Sequence, residues 1–416
     1  MTLRGLTGPL RERNFRQLFI AQATSMLGDN IAPIAIAFAV FDLDGSASDL
    51  GIVLAARTVA FLLPLIAGGV WADRLQRRHL MIASDVGRCA TQGITAALLF
   101  TGRAEIWHLV ALQAGNGFAL AFFRPAASGL VPQVVSSGRL QQANAVLSLS
   151  TSLSSIIGPA VAGAVVAIAG SGSAIALDAA TFALSALFLL RLRIPRAARG
   201  MEPARFVADL ADGWRHVISR KWVWVSIAEY ALFQFLILSS LFVLGPLISK
   251  DQLGGPAAWA LIVSALGVGA VVGDLVALTY RPRRRLLVGN LTLLVMAPCL
   301  LMLAFPAPLY AIAASAVAAG IAFSLPDTFW NTTLQENIPE EALSRVSSYD
   351  WLGSTALRPI GYAIVGPIAD VAGVRTTLTA TAALLVVSQV PTVAVRALRE
   401  LQRKDIDHAG PLQEHE

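Results

Sequence analysis

The sequence is poor in charged residues and in cysteine. Only 14% of its 416 residues are Asp, Glu, Lys or Arg, whereas 56% are hydrophobic, and there are two cysteines. Soluble domains carry about 25% charged residues, so this chain has too few polar groups to cover a water-facing surface. The scarcity of cysteine excludes a disulfide-stapled scaffold, and the high apolar content excludes intrinsic disorder. The composition therefore indicates a membrane protein.

Motifs of ATP use and of hydrolase chemistry are also missing. No Gly-x-x-x-x-Gly-Lys-Ser/Thr loop occurs, and the chain has only three lysines, which argues against direct use of ATP. Neither a Gly-x-Ser-x-Gly elbow nor a His-Glu-x-x-His helix is present. The five histidines fall at predicted helix ends or in the C-terminal tail. We therefore expect no enzymatic activity, no cofactor and no metal site.

Twelve mainly apolar stretches are long enough to cross a bilayer core of about 30 Å, which needs about 20 residues per helix. We number them spans 1 to 12: 15–40, 49–72, 79–101, 105–123, 140–169, 173–191, 222–248, 258–280, 285–305, 308–330, 342–369 and 374–396. We expect span 1 to be retained, since it is too long for a signal core and lacks a small-residue cleavage site. The sequence thus predicts an all-α membrane protein.

The placement of basic residues predicts the orientation of the chain. Lys and Arg concentrate on the cytoplasmic side of membrane proteins. Here they follow the even-numbered spans, whereas the opposite loops hold only Arg103, Lys250 and Arg375. The basic groups are Arg74, Arg77 and Arg78; Arg124 and Arg139; Arg191 to Lys221; Arg281 to Arg285; and Arg396 to Lys404. Both termini are therefore expected in the cytoplasm. This bias accounts for the net charge of +6 without a nucleic-acid partner.

The hydrophilic stretch 192–221 divides the chain into two six-span bundles, 1–191 and 222–400, followed by a polar tail, 401–416. Apolar residues at helical spacing within the stretch, Phe206 and Leu210 among them, fit either a helix on the membrane surface or a solvated linker helix. Shifting the sequence by 203 residues aligns Gly117 with Gly320, Gly158 with Gly361 and Gly163 with Gly366. Such a parallel repeat suggests alternating access around a cavity between the halves.

The most specific motif lies between spans 2 and 3, where a small residue, an acid and a basic cluster are combined. The residues are Gly69, Asp73, Arg74, Arg77 and Arg78 in Gly-Val-Trp-Ala-Asp-Arg-Leu-Gln-Arg-Arg. Here the chain resembles the major facilitator superfamily, whose loop signature is Gly-x-x-x-Asp-Arg-x-Gly-Arg-Arg. The resemblance implies a twelve-helix fold of two pseudo-symmetric bundles, with this motif controlling the cytoplasmic gate.

Two further features resemble exporters of that superfamily. Gly158, Pro159 and Gly163 fit a Gly-Pro-x-x-Gly-Gly element, in which Pro bends the helix and small residues allow close packing. Leu27-Gly28-Asp29 and Arg345-Val-Ser-Ser-Tyr-Asp350-Trp resemble the macrolide-efflux and enterobactin-exporter subgroup. The resemblance implies export of amphipathic organic compounds across the inner membrane by proton antiport. The alternatives are a dedicated siderophore or natural-product exporter and a non-transporting sensor with the same fold.

Charged residues inside spans are costly, at least about 2.5 kcal/mol each, and therefore mark candidate sites. Asp29 and Arg57 lie at similar depth in spans 1 and 2, and we expect them to form a pair. The pair either couples transport to protons or only locks the two spans together. Asp85 and Arg88 are expected to neutralise each other or the gating loop. Glu229 and Asp350 lie nearer the cytoplasmic face and are further proton-coupling candidates.

In the superfamily, spans 1, 4, 7 and 10 border the central cavity. The resemblance therefore assigns five residues of these spans to the cavity wall: Asn30, Gln113, Asn116, Gln234 and Phe235. Arg358, which lies deep in span 11, is a further candidate. A wall with few polar groups suits a bulky, weakly polar small molecule better than a sugar. We expect a monomer in the lipid bilayer, with protons as coupling ion.

Overall fold

The structure is a computed structural model, and it describes residues 8–72, 76–193 and 214–399. Helices occupy all twelve predicted spans. Spans 1 to 4 are Arg13–Asp42, Ala47–Ala72, Arg77–Phe100 and Ile106–Val134, and spans 5 and 6 run together as Leu140–Leu190. Among the described residues, nine helices are long and apolar enough to cross a membrane. Most of the predicted linker helix and the tail 401–416 lie outside the described residues.

In the second half, several helices are interrupted. Span 7 combines Lys221–Phe233 and Ser239–Ile248 with π-helical turns at Gln234–Leu238 and Ser249–Leu253. Spans 8 to 10 are Pro256–Thr279, Arg285–Thr292 continued by Met296–Ala304, and Leu309–Asn337. Span 11 is Glu340–Thr355 with Arg358–Ala372, and span 12 begins as Val374–Ser388. Short helices Val390–Ala394 and Arg396–Arg399 follow.

The stretch Leu140–Leu190 consists of two helices, and the chain reverses direction between them at Gly170. That residue has φ 81°, a left-handed conformation that suits glycine. Both ends of this stretch lie at the same end of span 1, because Arg139 binds Glu12 at 3.2 Å while Asn14 donates to the Arg193 carbonyl. The chain therefore crosses twice between 140 and 190, as predicted for spans 5 and 6. The helices are consistent with twelve crossings.

Span 3 is not among the nine apolar helices, because its buried face is polar. Ser84, Arg88, Gln92 and Thr95 recur at helical spacing and are buried. The opposite face exposes apolar side chains such as Ile94. A helix of this kind turns its polar stripe toward the bundle interior and its apolar stripe toward lipid.

Glycines related by the 203-residue repeat make equivalent contacts. A Cβ on Gly117 in span 4 would overlap the backbone carbonyl of Arg57 in span 2. In the same way, a Cβ on Gly320 in span 10 would overlap the carbonyl of Leu266 in span 8. Each pair brings two helices of one half into backbone contact, which small residues permit. The repeat seen in the sequence is thus present in the packing.

The two halves meet at one end of the molecule. Ser48 donates a 2.6 Å hydrogen bond to Asp370, and Lys250 donates to the Phe41 carbonyl at 3.3 Å. Closer to the middle, the Ser264 hydroxyl donates to the Ile156 carbonyl. The halves are therefore joined at the end where span 1 runs into the loop 43–46.

A polar clip lies just before span 1. Glu12 accepts hydrogen bonds from Ser136 and pairs with Arg139. The Ser136 hydrogen bond and the Arg139 charge hold the pKa of Glu12 below its usual 4.5. The clip should therefore stabilise the protein above the unfolded pKa and lose its effect as the pH falls through the lower folded pKa.

This pH dependence gives the first prediction. We expect Glu12→Gln to lower the thermal unfolding midpoint near neutral pH by a small amount, since the pair is partly exposed. The difference between the variant and the wild type should shrink as the pH falls below 4.5 and through the lowered folded pKa of Glu12. Thermal scans of both proteins over that range test it. A difference that does not change with pH would show that the Glu12 charge is not responsible.

Candidate substrate cavity and buried charge network

A cavity of about 690 Å³ lies between the two halves and is lined by side chains from both. Its volume falls within the range of about 300–1,000 Å³ that small-molecule sites occupy. Of the predicted site residues, it is lined by Asp29, Asn30, Arg57, Gln234, Asp350 and Arg358. It is not lined by Gln113, Asn116 or Phe235. Gln113 and Asn116 are instead buried in the first half, 1% and 0% exposed.

Aromatic and charged side chains share the cavity wall. The aromatic residues are Phe61, Tyr230, Phe242, Trp259, Phe323, Trp330, Trp351 and Tyr362. The charged residues are Asp29, Arg57, Arg124, Asp327, Asp350 and Arg358. An apolar, aromatic surface with a few charged groups suits amphipathic organic molecules.

A charge network in the first half centres on Asp29. Arg57 lies 3.4 Å from Asp29 Oδ1, so the two residues predicted to pair are in contact. Arg88 Nη2 lies closer, 2.9 Å from Asp29 Oδ2, as an ion pair whose N–H direction departs from that of a hydrogen bond. Arg88 also pairs with Asp85 at 3.4 Å. The sequence predicted that Asp85 and Arg88 neutralise each other or the gating loop. In the structure, Arg88 instead pairs with both Asp85 and Asp29.

Arg88 is completely buried, and aromatic rings enclose it. Its guanidinium carbon lies 3.8 Å from the Phe182 ring centroid and 5.3 Å from that of Phe123. Its partner Asp85 is equally buried and accepts hydrogen bonds from Ser25 and Ser185. Asp29 differs, since its side chain is 20% exposed and lines the cavity. Among these acids, Asp29 is the one that a proton or substrate in the cavity can reach.

Sequence reasoning missed two acidic residues inside the spans. Asp178 in span 6 is fully buried and accepts a hydrogen bond from Gln92, which in turn accepts one from Gln113. Asp327 in span 10 lines the cavity. Both interrupt long apolar runs, and that interruption was the available signal.

The structure places Arg124 inside the helix of span 4. The sequence placed it in the loop after span 4, because that span was expected to end at residue 123. The helix continues to Val134, and Arg124 lines the cavity within it. A charged side chain there faces the interior between the halves, so it does not end the helix. The other basic residues still predict that both termini lie in the cytoplasm.

The remaining acidic candidates lie in the second half. Glu229 accepts hydrogen bonds from Asn290 at 2.8 Å and from Thr392 at 2.7 Å, and it is 7% exposed. It does not line the cavity. Asp350 does, and it accepts from the Trp330 indole at 2.8 Å and from the Ser354 hydroxyl at 3.1 Å.

The predicted gating motif is described in part. Asp73 and Arg74 lie outside the described residues, and Gly69 lies in the helix of span 2. Arg77 donates to the Gly129 carbonyl of span 4. Arg78 donates to the carbonyls of residues 189 and 190, at 2.9 and 2.7 Å. The arginines thus fasten the start of span 3 to the ends of spans 4 and 6.

The exporter-like element of span 5 lies at two helix crossings. Pro159 lies inside the helix and is buried. A Cβ on Gly158 would overlap Asn30 of span 1, and one on Gly163 would overlap Ala260 of span 8. The second contact joins the two halves, so Gly163 forms part of the closed end.

That contact gives the second prediction. Gly163→Val should prevent the close approach of span 8 and favour states in which this end opens. Distances between spin labels on the loop 43–46 and on the segment 249–255 should lengthen. Overpacking of this kind costs about 1–3 kcal/mol when the structure cannot adjust.

Gly93 supplies a matched control, because a Cβ there has no neighbour within 4 Å. Gly93→Val should leave the label distances unchanged. If Gly163→Val also leaves them unchanged while its side chain is accommodated, the contact does not hold this end closed.

The model of the transmembrane secretion effector family matches residues 5–416 of the chain. The chain belongs to this family of the major facilitator superfamily. It is therefore a multi-pass membrane transporter rather than an enzyme. Among its relatives, the multidrug efflux pump Tap of Mycolicibacterium fortuitum is 27% identical, covering 92% of this chain and 96% of the relative. Macrolide efflux protein A of Streptococcus pyogenes is 22% identical, covering 94% and 98%.

Solved structures show the same fold. The nucleoside transporter NupG superposes with a TM-score of 0.74 at 14% identity, over 91% of this chain and 98% of that one. A bacterial homologue of the human lysosomal transporter Spinster, in an inward-facing and unoccupied conformation, gives 0.70 at 13% identity, over 92% and 96%. The predicted major facilitator fold is thereby confirmed.

Proposed function

We propose that this transporter exports amphipathic, drug-like organic compounds across the inner membrane by alternating access. The observation that carries the proposal is the cavity between the halves, whose wall combines eight aromatic side chains with a few charged ones. Two relatives that align along nearly the whole chain are named as a multidrug efflux pump and as a macrolide efflux protein. A wall of this composition suits such molecules better than highly hydroxylated ones.

The orientation follows from the basic residues. With both termini in the cytoplasm, the joined end of the bundle faces outward. Ser48 with Asp370 and Gly163 with Ala260 then form the outer gate in its closed state. We propose that Asp73 and Arg77 meet the start of span 11 when the inner side closes, and that the protein works as a monomer.

Coupling to protons is assigned to Asp29. It faces the cavity and is contacted by two arginines, Arg57 and Arg88. A nearby cation favours the ionised carboxylate, and removal of that cation favours its protonated form. Movement of Arg57 between states would therefore let Asp29 release or bind a proton. Glu229 and Asp350 are the second choices.

Reconstitution tests the function directly. Purified protein in proteoliposomes should expel a fluorescent amphipathic dye when an inward-directed proton gradient is imposed, and an ionophore that dissipates the gradient should stop it. Liposomes without protein give the background. Binding of many compounds without any gradient-dependent flux would favour a sensor, and flux of a single siderophore-like compound would favour a dedicated exporter.

A further inference from the structure

The second-half wall of the cavity carries two carboxylates without a cationic partner. Asp327 and Asp350 both line the cavity, and among the described residues neither forms an ion pair with Lys or Arg. Trp330 lies one turn after Asp327 in span 10 and donates its indole N–H to Asp350 at 2.8 Å. Residues three apart share a helix face, so Asp327 lies on the same face of span 10 as the indole that binds Asp350.

A second, independent feature of this wall is an unused acceptor. Gln234 is 3% exposed and lines the same cavity. Its amide nitrogen donates at 2.7 Å to the carbonyl of Ser354, whose hydroxyl binds Asp350. The amide oxygen of Gln234 has no partner in the described structure. A buried polar atom without a partner is costly, and a ligand that donates hydrogen bonds would satisfy it.

Aromatic faces surround these acceptors. Tyr230, Phe323, Trp330 and Trp351 line the cavity together with Asp327 and Asp350. Aromatic rings attract cations through the negative charge of their faces, more strongly when water is excluded. Carboxylates, an amide oxygen and aromatic rings all favour the same ligand group, which is a cation with an apolar body.

Elsewhere the cavity is unfavourable for a cation. Arg57 and Arg124 lie on the first-half wall, and Asp29 there is already contacted by two arginines. Arg358 also lines the cavity, but it begins the second helix of span 11, after the break at residues 356–357, and is not within ion-pair distance of Asp327 or Asp350. An ammonium group in the cavity therefore has one favourable position, on the second-half wall.

We propose that Asp327, Asp350 and Gln234 form a binding site for the ammonium group of the transported compound. The substrates are accordingly amphipathic amines or quaternary cations that place their charge between the two carboxylates and their apolar body against the aromatic rings. This inference rests on the proposed efflux function and specifies its substrate class.

Two ions of equal shape and opposite charge test the site. Tetraphenylphosphonium should bind the purified wild-type protein, and tetraphenylborate should bind at least about tenfold more weakly. Asp350→Asn and Asp327→Asn should each weaken tetraphenylphosphonium binding by about tenfold without weakening that of tetraphenylborate. The matched control is Asp42→Asn, because Asp42 accepts from Ser171 in the first half and does not line the cavity. It should bind the cation as the wild type does.

Equal affinity of the wild type for the two ions would overturn the proposal, and this result requires no variant to fold. Folded Asp327→Asn/Asp350→Asn protein with undiminished affinity for the cation would overturn it too. Dye efflux from proteoliposomes distinguishes a failure of the ammonium site from a failure of the proposed efflux function. Efflux of neutral dyes that tetraphenylphosphonium does not inhibit would leave the efflux function standing and remove the ammonium site. Absence of any efflux would reject the function itself.

Discussion

Arg88→Leu should destabilise the protein by about 3–5 kcal/mol, the cost of removing one partner from a buried ion pair. Arg88 is 0% exposed and lies 2.9 Å from Asp29 and 3.4 Å from Asp85. Without it, Asp85 stays fully buried with only the hydroxyls of Ser25 and Ser185 as partners. The substitution also removes the cation–π contact between Arg88 and the Phe182 ring.

The measurement is the thermal unfolding midpoint in detergent, and Arg57→Leu is the matched control. Arg57 is 16% exposed, lies 3.4 Å from Asp29 and faces the cavity. Arg57→Leu should lower the unfolding midpoint much less than Arg88→Leu does, and it should reduce transport much more. Adding Asp85→Asn to Arg88→Leu should restore part of the stability, since the buried charge is then gone, one serine can still donate to the amide oxygen and the other can accept from the amide NH2. If Arg88→Leu is as stable as Arg57→Leu, Arg88 does not hold spans 1 and 3 together.

Much of the fold could be predicted because each membrane span is a continuous run of apolar residues in the sequence. A run of about 20 apolar residues is sufficient evidence for a helix in lipid. The reversal at Gly170 was predicted from the break between two such runs. The end of span 4 was wrong because Arg124 and Pro125 look like the end of an apolar run. In the folded protein, Arg124 lines the cavity, where its charge is tolerated.

The buried charges were harder to predict, because their partners are distant in sequence. Asp29 and Arg57 are only 28 residues apart on one hairpin, and their depths could be compared. Gln92 in span 3 and Asp178 in span 6 are 86 residues apart, with spans 4 and 5 between them, and a single sequence does not show that the two side chains meet. Which of Gln113, Asn116 and Gln234 faces the cavity likewise depends on helix rotation.

Asp29→Asn should abolish efflux driven by a proton gradient while leaving the fold and substrate exchange in place. Asp29 lies between Arg57 and Arg88 and is 20% exposed to the cavity. If the pair with Arg57 only locked spans 1 and 2, its loss would appear first as reduced stability. The structure argues for a small loss, because Arg88 retains Asp85 as partner and Arg57 can be solvated in the cavity.

Two assays on the same proteoliposomes separate the two roles. Gradient-driven dye efflux reports coupling, and exchange of labelled for unlabelled substrate at equal pH reports alternating access alone. Asp42→Asn is the matched control, because Asp42 lies at the far end of span 1, where it binds Ser171 at 2.7 Å outside the cavity. It should retain both activities. Since an amide cannot take up or release the proton, Asp29→Asn should exchange substrate without responding to the gradient. A well-folded Asn variant with normal gradient-driven efflux would remove Asp29 from coupling. The proton would then have to bind at Glu229 or Asp350, the other acidic candidates.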